Sequence, residues 1–136
     1  MITAAARPVV ITATALAAVA GFVLLRLFDP NAPGSLFPPC IFRSITGLLC
    51  PGCGLTRMLH ALAHGDLQRA VRMNAMLMAM LPALALMAAN EFGPRRFLRG
   101  AAARWLYNPW GWLVVTVAFG VLRNLPWAPF TSLAPA

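Results

Sequence analysis

Eight consecutive residues, Cys50-Pro51-Gly52-Cys53-Gly54-Leu55-Thr56-Arg57, concentrate the reactive groups of this chain. With Cys40 they hold all three of its cysteines. Pro51 and Gly52 between two cysteines force a tight turn, so the two sulfurs can converge on one point. A short helix fits after Gly54, running through about His64, with Gly65 as a natural residue to end it. Asp66 can then cap a second short helix through Met73. At about 100° per residue, Cys53, Arg57, His60 and His64 stand at i, i+4, i+7 and i+11, within roughly 60° of one helical face. Leu55, Met58, Leu59 and Leu62 fill the remainder. The segment is therefore amphipathic, and its polar stripe carries one thiol, one guanidinium and two imidazoles.

Three readings of that stripe stay open. In the first it is the wet side of an interfacial helix. In the second, Cys40, Cys50, Cys53 and one of His60 or His64 form a Cys3His set, a donor combination typical of tetrahedral Zn²⁺. The C-P-x-C-G pattern resembles a zinc knuckle, in which the glycine relieves crowding after the second ligand. In the third, Cys50 and Cys53 are a thiol-disulfide pair. The N-terminus of the following helix and Arg57 would favour a thiolate there, and Cys40 could resolve a mixed disulfide. Other catalytic templates lack their parts. Asp66 and Glu91 fall on opposite sides of the expected membrane, so no carboxylate pair forms. The chain has no H-E-x-x-H, no G-x-S-x-G and no phosphate-cradling glycine loop. These absences favour a protein that is not a stand-alone enzyme.

The elements that must position this loop are apolar. Hydrophobic residues make up 60% of the 136 and charged residues 10%, too few charges to cover a water-facing surface of this size. The net charge is +8, and every basic residue is Arg. A basic soluble chain would suggest nucleic acid. Here the apolar excess points instead to a lipid bilayer with arginines at its interfaces.

Three spans are expected, at about 8–28, 73–92 and 110–124, with the Cys-motif loop at 29–72. The run from Pro8 to Phe28 is long enough to cross a hydrocarbon core; its rival reading is a signal peptide with Arg7 as basic flank and a cleavage site near Ala20. The second run, Met73–Phe92, has Asn74 as N-cap and Pro82 inside it, a residue that a bundle in lipid tolerates. Its methionines, Met76, Met78, Met80 and Met87, read as packing rather than copper ligands. The third begins at Pro109, suited to a first turn, and stops before Pro126. Trp110 and Trp127 bracket it at a spacing of about 25 Å, as interfacial aromatics do. Asp29–Pro39, with four prolines and a glycine, is a turn-rich linker. The short loop Gly93–Asn108 carries Arg95, Arg96, Arg99 and Arg104, which places it in the cytoplasm. The N-terminus is then cytoplasmic and the Cys-motif loop faces outward. No buried acidic residue supports an ion-coupled transporter acting alone.

The motif Cys50–Arg57, preceded by Phe42 and Thr46-Gly47, resembles the C-P-x-C-G-x-T-R hallmark of an uncharacterised family of small bacterial membrane proteins, domain of unknown function 2752. His64-Gly65-Asp66, with Ala70 and Asn74, is similar to that family's G-D…A…N-P stretch. Gly120–Pro126 resembles its R-N-x-P end. The resemblance spans about Cys40–Pro126 and implies a multi-pass protein of a bacterial plasma membrane, with no activity attached. It singles out Gly54, Thr56, Arg57, Gly65, Asp66, Asn74, Arg123 and Asn124 beside the cysteines. Ala75 stands where the family often has proline, a departure that lets the short helix run on into the second span. Arg123 and Asn124 read as a helix end, with Arg complementing the dipole and Asn bonding free carbonyls. Asp66, the acidic residue nearest the motif, is expected to pair with Arg57 or Arg123.

The expectation is an all-α membrane protein of one domain, with three transmembrane helices and a short amphipathic or re-entrant segment carrying the Cys motif. That motif acts as a structural or zinc-binding staple, and the protein works in the bilayer with another membrane protein. The alternative is a membrane thiol-disulfide oxidoreductase using Cys50 and Cys53.

Overall fold

The computed structural model describes residues 6–93 and 96–135. Arg95 of the basic loop lies outside them, as does the side chain of Arg7. Within them the fold is all-helical: α1 Ala6–Leu27, α2 Ile41–Thr46, α3 Leu55–Ala63, α4 Leu67–Met73, α5 Ala75–Phe92, α6 Gly100–Leu106 and α7 Pro109–Leu122, then a 3₁₀ turn at Phe130–Leu133. The linker 29–39 forms no helix, as its prolines dictate.

α1 and α5 are long and apolar enough to cross a membrane. On α1, Leu16, Val19, Phe22 and Val23 are all exposed, a surface that needs apolar solvent. Its hydroxyls are satisfied internally, Thr12 donating to the Pro8 carbonyl and Thr14 to that of Val10. The expected third span is not one straight helix. α7 has 14 residues, short for a crossing, and α6 precedes it at a bend of 43°. The pair is apolar enough to cross only if α6 and α7 form one broken span. Asn108 and Pro109 set the break: Asn108 caps α7 by accepting from the Trp110 N–H, and Pro109 has no N–H to continue the α6 ladder.

Asn90 of α5 pins this region. It is buried, its Oδ1 accepts from the Phe97 and Leu98 amides, and its Nδ2 donates to the Tyr107 hydroxyl. Burying an amide this way is tolerated because its donors and acceptors are matched.

The protein core is small and lies beneath the Cys motif. Met58 and Ala61 of α3 pack on Ala70 and Met73 of α4, flanked by Leu59, Leu62, Leu77 and Met78. The α3–α4 turn forms as its residues require. Gly65 adopts a positive φ, its N–H bonds to the Leu62 carbonyl, and the Asp66 N–H reaches back to Ala61, which is the Schellman pattern. Asp66 then caps α4 through the Arg69 amide at 2.8 Å.

The run-on from α4 into α5 does not occur. Asn74 breaks the helix with φ −158° and caps α5 through the Leu77 N–H. An extended asparagine that caps its own follower stops a helix without a proline after it.

Candidate metal centre

The three cysteines converge. Cys40 Sγ lies 3.4 Å from Cys50 Sγ, which lies 3.1 Å from Cys53 Sγ, and all three sulfurs fall within 4.8 Å of one another. All three cysteines are free. The turn between Cys50 and Cys53 closes by a backbone bond from the Cys53 N–H to the Cys50 carbonyl, and the Cys50 N–H points back at Cys53 Sγ at 3.2 Å. That N–H to sulfur contact lowers the Cys53 thiol, but burial outweighs it.

Cys40 arrives from a distance in sequence. It is the N-cap residue of α2, and the linker 29–39 delivers it beside the turn.

Three side chains clamp the turn by its carbonyls. Asn74 Nδ2 donates to Pro51 O at 2.8 Å and to Cys53 O at 3.2 Å. Arg123 Nη1 donates to Cys50 O, Pro51 O and Cys53 O at 2.9–3.2 Å. Asn124 pairs with the Leu49 backbone in both directions, accepting its N–H and donating to its carbonyl, each at 2.8 Å. The carbonyls of Leu49, Cys50, Pro51 and Cys53 are thus held by side chains from the ends of α4 and α7, while that of Gly52 accepts from the Leu55 N–H. Arg123 and Asn124 also end α7 as expected, Arg123 as its C-cap residue and Asn124 by donating to the Gly120 carbonyl at 2.7 Å, but their bonds reach beyond the helix. They are a tertiary clamp between the end of α7 and the Cys turn.

Arg123 is 2% exposed and stacks over the Phe119 ring at 4.8 Å. Its Nε and Nη2 atoms have no hydrogen-bond partner among the described residues. No carboxylate accompanies it. The expected pairing of Asp66 with Arg57 or Arg123 is absent: the ion pairs among the described residues are His60–Asp29 and Arg96–Glu91, and Asp66 is used in its cap.

Two glycines let the backbone close around the site. A Cβ on Gly54, whose φ is +88°, would stand 2.4 Å from the Met73 carbonyl oxygen. A Cβ on Gly120 would stand 2.9 Å from Pro51 Cγ, so this glycine admits the Cys turn against α7. In the sequence Gly120 only opens the Gly120–Pro126 stretch, and nothing local shows that Pro51 packs on it.

The histidines are the correction to the expected ligand set. Neither belongs to the sulfur cluster. His60 Nδ1 lies 2.6 Å from the Leu25 carbonyl of α1, and its Nε2 is 3.8 Å from Asp29. His64 packs its ring on His60 at 4.5 Å. The helical-face count placed them with Cys53, but Cys53 precedes α3 in a non-helical turn, so its side chain leaves the face that the periodicity implied. His60 joins α3 to α1 instead, next to a bond from Arg26 to the Ala63 carbonyl at the end of α3.

The thiols differ. The Arg43 amide in the first turn of α2, with the Cys50 and Cys53 thiols beside it, lowers the Cys40 thiol to about 7. Burial pushes Cys53 up to about 12, with the neighbouring thiols adding to the shift. A metal must therefore displace the Cys53 proton at any pH below about 12. Below about 7 it must displace that of Cys40 as well. Metal affinity is expected to fall as pH is lowered, and to fall more steeply by about one further power of ten per unit below the Cys40 value. Competition with a chromophoric chelator from pH 6 to 8 checks this.

The clamp can be tested separately from the helix cap. Asn74→Asp keeps the acceptor for Leu77 and removes both donors to the Cys turn. It is expected to destabilise the protein by about 1–3 kcal/mol, at least as much as Asn74→Ala. A harmless Asn74→Asp in thermal unfolding would reduce the residue to a cap.

Residues 40–88 match the model of a family described as "Protein of unknown function (DUF2752)". The match covers the cysteines, α3, α4 and most of α5. It stops short of Arg123 and Asn124, the residues that close the site from the other end of the chain. No curated protein and no solved structure matches the chain.

Proposed function

We propose that this chain is a multi-pass membrane protein whose Cys40, Cys50 and Cys53 hold a zinc ion in an open three-thiolate site. The convergence of three thiols from two separate segments carries the reading. Tetrahedral Zn–S geometry implies sulfurs about 3.8 Å apart, and the observed separations of 3.1 and 3.4 Å, with all within 4.8 Å, need only small adjustment. The buried guanidinium of Arg123 supplies the second support. Three thiolates and a divalent cation carry one net negative charge, which this cation offsets within electrostatic reach of Cys53 and Cys50. Its carbonyl bonds also hold the Cys turn in place, the supporting role that partners of metal ligands play elsewhere.

In this reading α1, α5 and the broken pair α6–α7 make three spans. The N-terminus is cytoplasmic and the zinc site lies at the outer interface of a bacterial plasma membrane, beside a partner membrane protein. Zinc staples the segment that carries Cys40 to the Cys50–Cys53 turn rather than driving a reaction by itself.

Protein purified in detergent is expected to carry one zinc per chain, with thiols that react only after chelation. A metal-free protein whose Cys50–Cys53 disulfide forms and reduces reversibly would overturn the zinc reading and favour thiol exchange.

A further inference from the structure

With His60 bonded to α1, His64 stacked on His60, and neither in the sulfur cluster, the three thiols leave the fourth position of a tetrahedral ion unfilled by any described residue. A cavity of 800 Å³ opens beside them. Two of the three thiol residues, Cys40 and Cys53, line it, together with Arg43, Arg57 and the hydroxyl residues Ser44 and Thr56. None of its lining residues is acidic, and neither arginine enters an ion pair among the described residues. The charge balance is therefore unmet. Arg123 offsets the metal–thiolate unit, and Arg43 and Arg57 leave up to two positive charges facing the cavity. An ordinary ligand cavity has this size, with a few placed polar groups, and guanidinium pairs of this kind suit phosphate oxygens.

The geometry points to an anion site: the cavity binds a phosphate-class oxyanion that occupies the open position beside Cys40 and Cys53 and is held by Arg43 and Arg57. This rests on the zinc reading above and deepens it. The oxyanion has two sources, free phosphate and the phosphodiester of an anionic lipid. The second is suggested by α2, which carries Arg43 on a helix whose Ile41, Phe42 and Ile45 are exposed, an apolar surface suited to the bilayer boundary.

Cobalt(II) substitution separates the two readings. In detergent, Co²⁺ bound by three thiolates gives strong charge-transfer absorption, and the visible bands report the fourth ligand. Inorganic phosphate is expected to shift those bands saturably, with affinity lowered about tenfold in each of Arg43→Gln and Arg57→Gln. The charge-transfer bands should persist in both variants, which shows that the fold and the thiolate site survive. In nanodiscs, a shift produced by phosphatidylglycerol over phosphatidylcholine without added phosphate assigns the lipid source; a shift that needs added phosphate assigns the free ion. Thiolate bands that respond to neither probe, or that respond equally in the arginine variants, overturn the anion site and leave the metal site intact. Absence of thiolate bands in the unsubstituted chain overturns the metal reading itself.

Discussion

Gly54→Ala is expected to abolish the folded Cys motif. The new methyl group would stand 2.4 Å from the Met73 carbonyl oxygen and 3.2 Å from its carbon. These are backbone atoms at the end of α4, and no rotamer change relieves the contact. The positive φ of +88° adds strain for any residue with a Cβ. Strain of about 1–2 kcal/mol and overpacking of about 1–3 kcal/mol together exceed what a core this small can absorb. The protein should lose both metal retention and its cooperative unfolding transition. Gly52→Ala is the control within the same motif. Its Cβ would meet only Cys50 Sγ, at 3.9 Å, an ordinary contact, so stability and metal content should be close to those of the parent chain. If Gly54→Ala kept both, α3 would not be seated on Met73 as described.

The second large effect is at Arg123. Arg123→Ala removes a charge-assisted donor from three carbonyls and empties a buried volume above Phe119. A loss of about 3–5 kcal/mol is expected. Because that could simply unfold the region, Arg123→Met is the informative partner. Methionine fills the space and packs on the Phe119 ring, so part of the fold is retained while the charge is gone. Metal affinity should then fall about 10–100-fold, the usual range for a residue that supports ligands without touching the ion, and Arg123→Lys should recover part of it. Chelator competition measures the affinity and thermal unfolding in detergent measures the stability. Full affinity in Arg123→Met would mean that the guanidinium only shapes the loop and does not balance the thiolates.

These two sites show how unevenly the sequence could be read. Local signals were legible because they depend on neighbours in the chain. The apolar run of α1, Gly65 and Asp66 at the α3–α4 turn, Asn74 as a cap and Pro109 at the start of α7 all stand where their chemistry requires. The convergence of Cys50 and Cys53 followed from a two-residue turn. A local rule fails where it is extended past its element. Cys53 lies outside α3, so helical periodicity does not join it to His60 and His64, which lie outside the sulfur cluster. The apolar run of the third span does not show its break, where Asn108 caps a new helix and the axis bends by 43°.

By itself, then, the sequence determined the helical class, the apolar surface of the long helices, the caps and the pairing of the two motif cysteines, because each follows from composition or from contacts a few residues apart. Only the tertiary structure decided what surrounds that pair. It brought Cys40 across ten residues, bonded His60 to α1, and carried Arg123 and Asn124 across about seventy to hold the carbonyls of the Cys turn. Those groupings depend on how helices pack and on which buried carbonyls need a donor, and neither has a period in the chain. A buried polar group must find its partner wherever the fold provides one, which is why the arginine read as a helix end became the centre of the site.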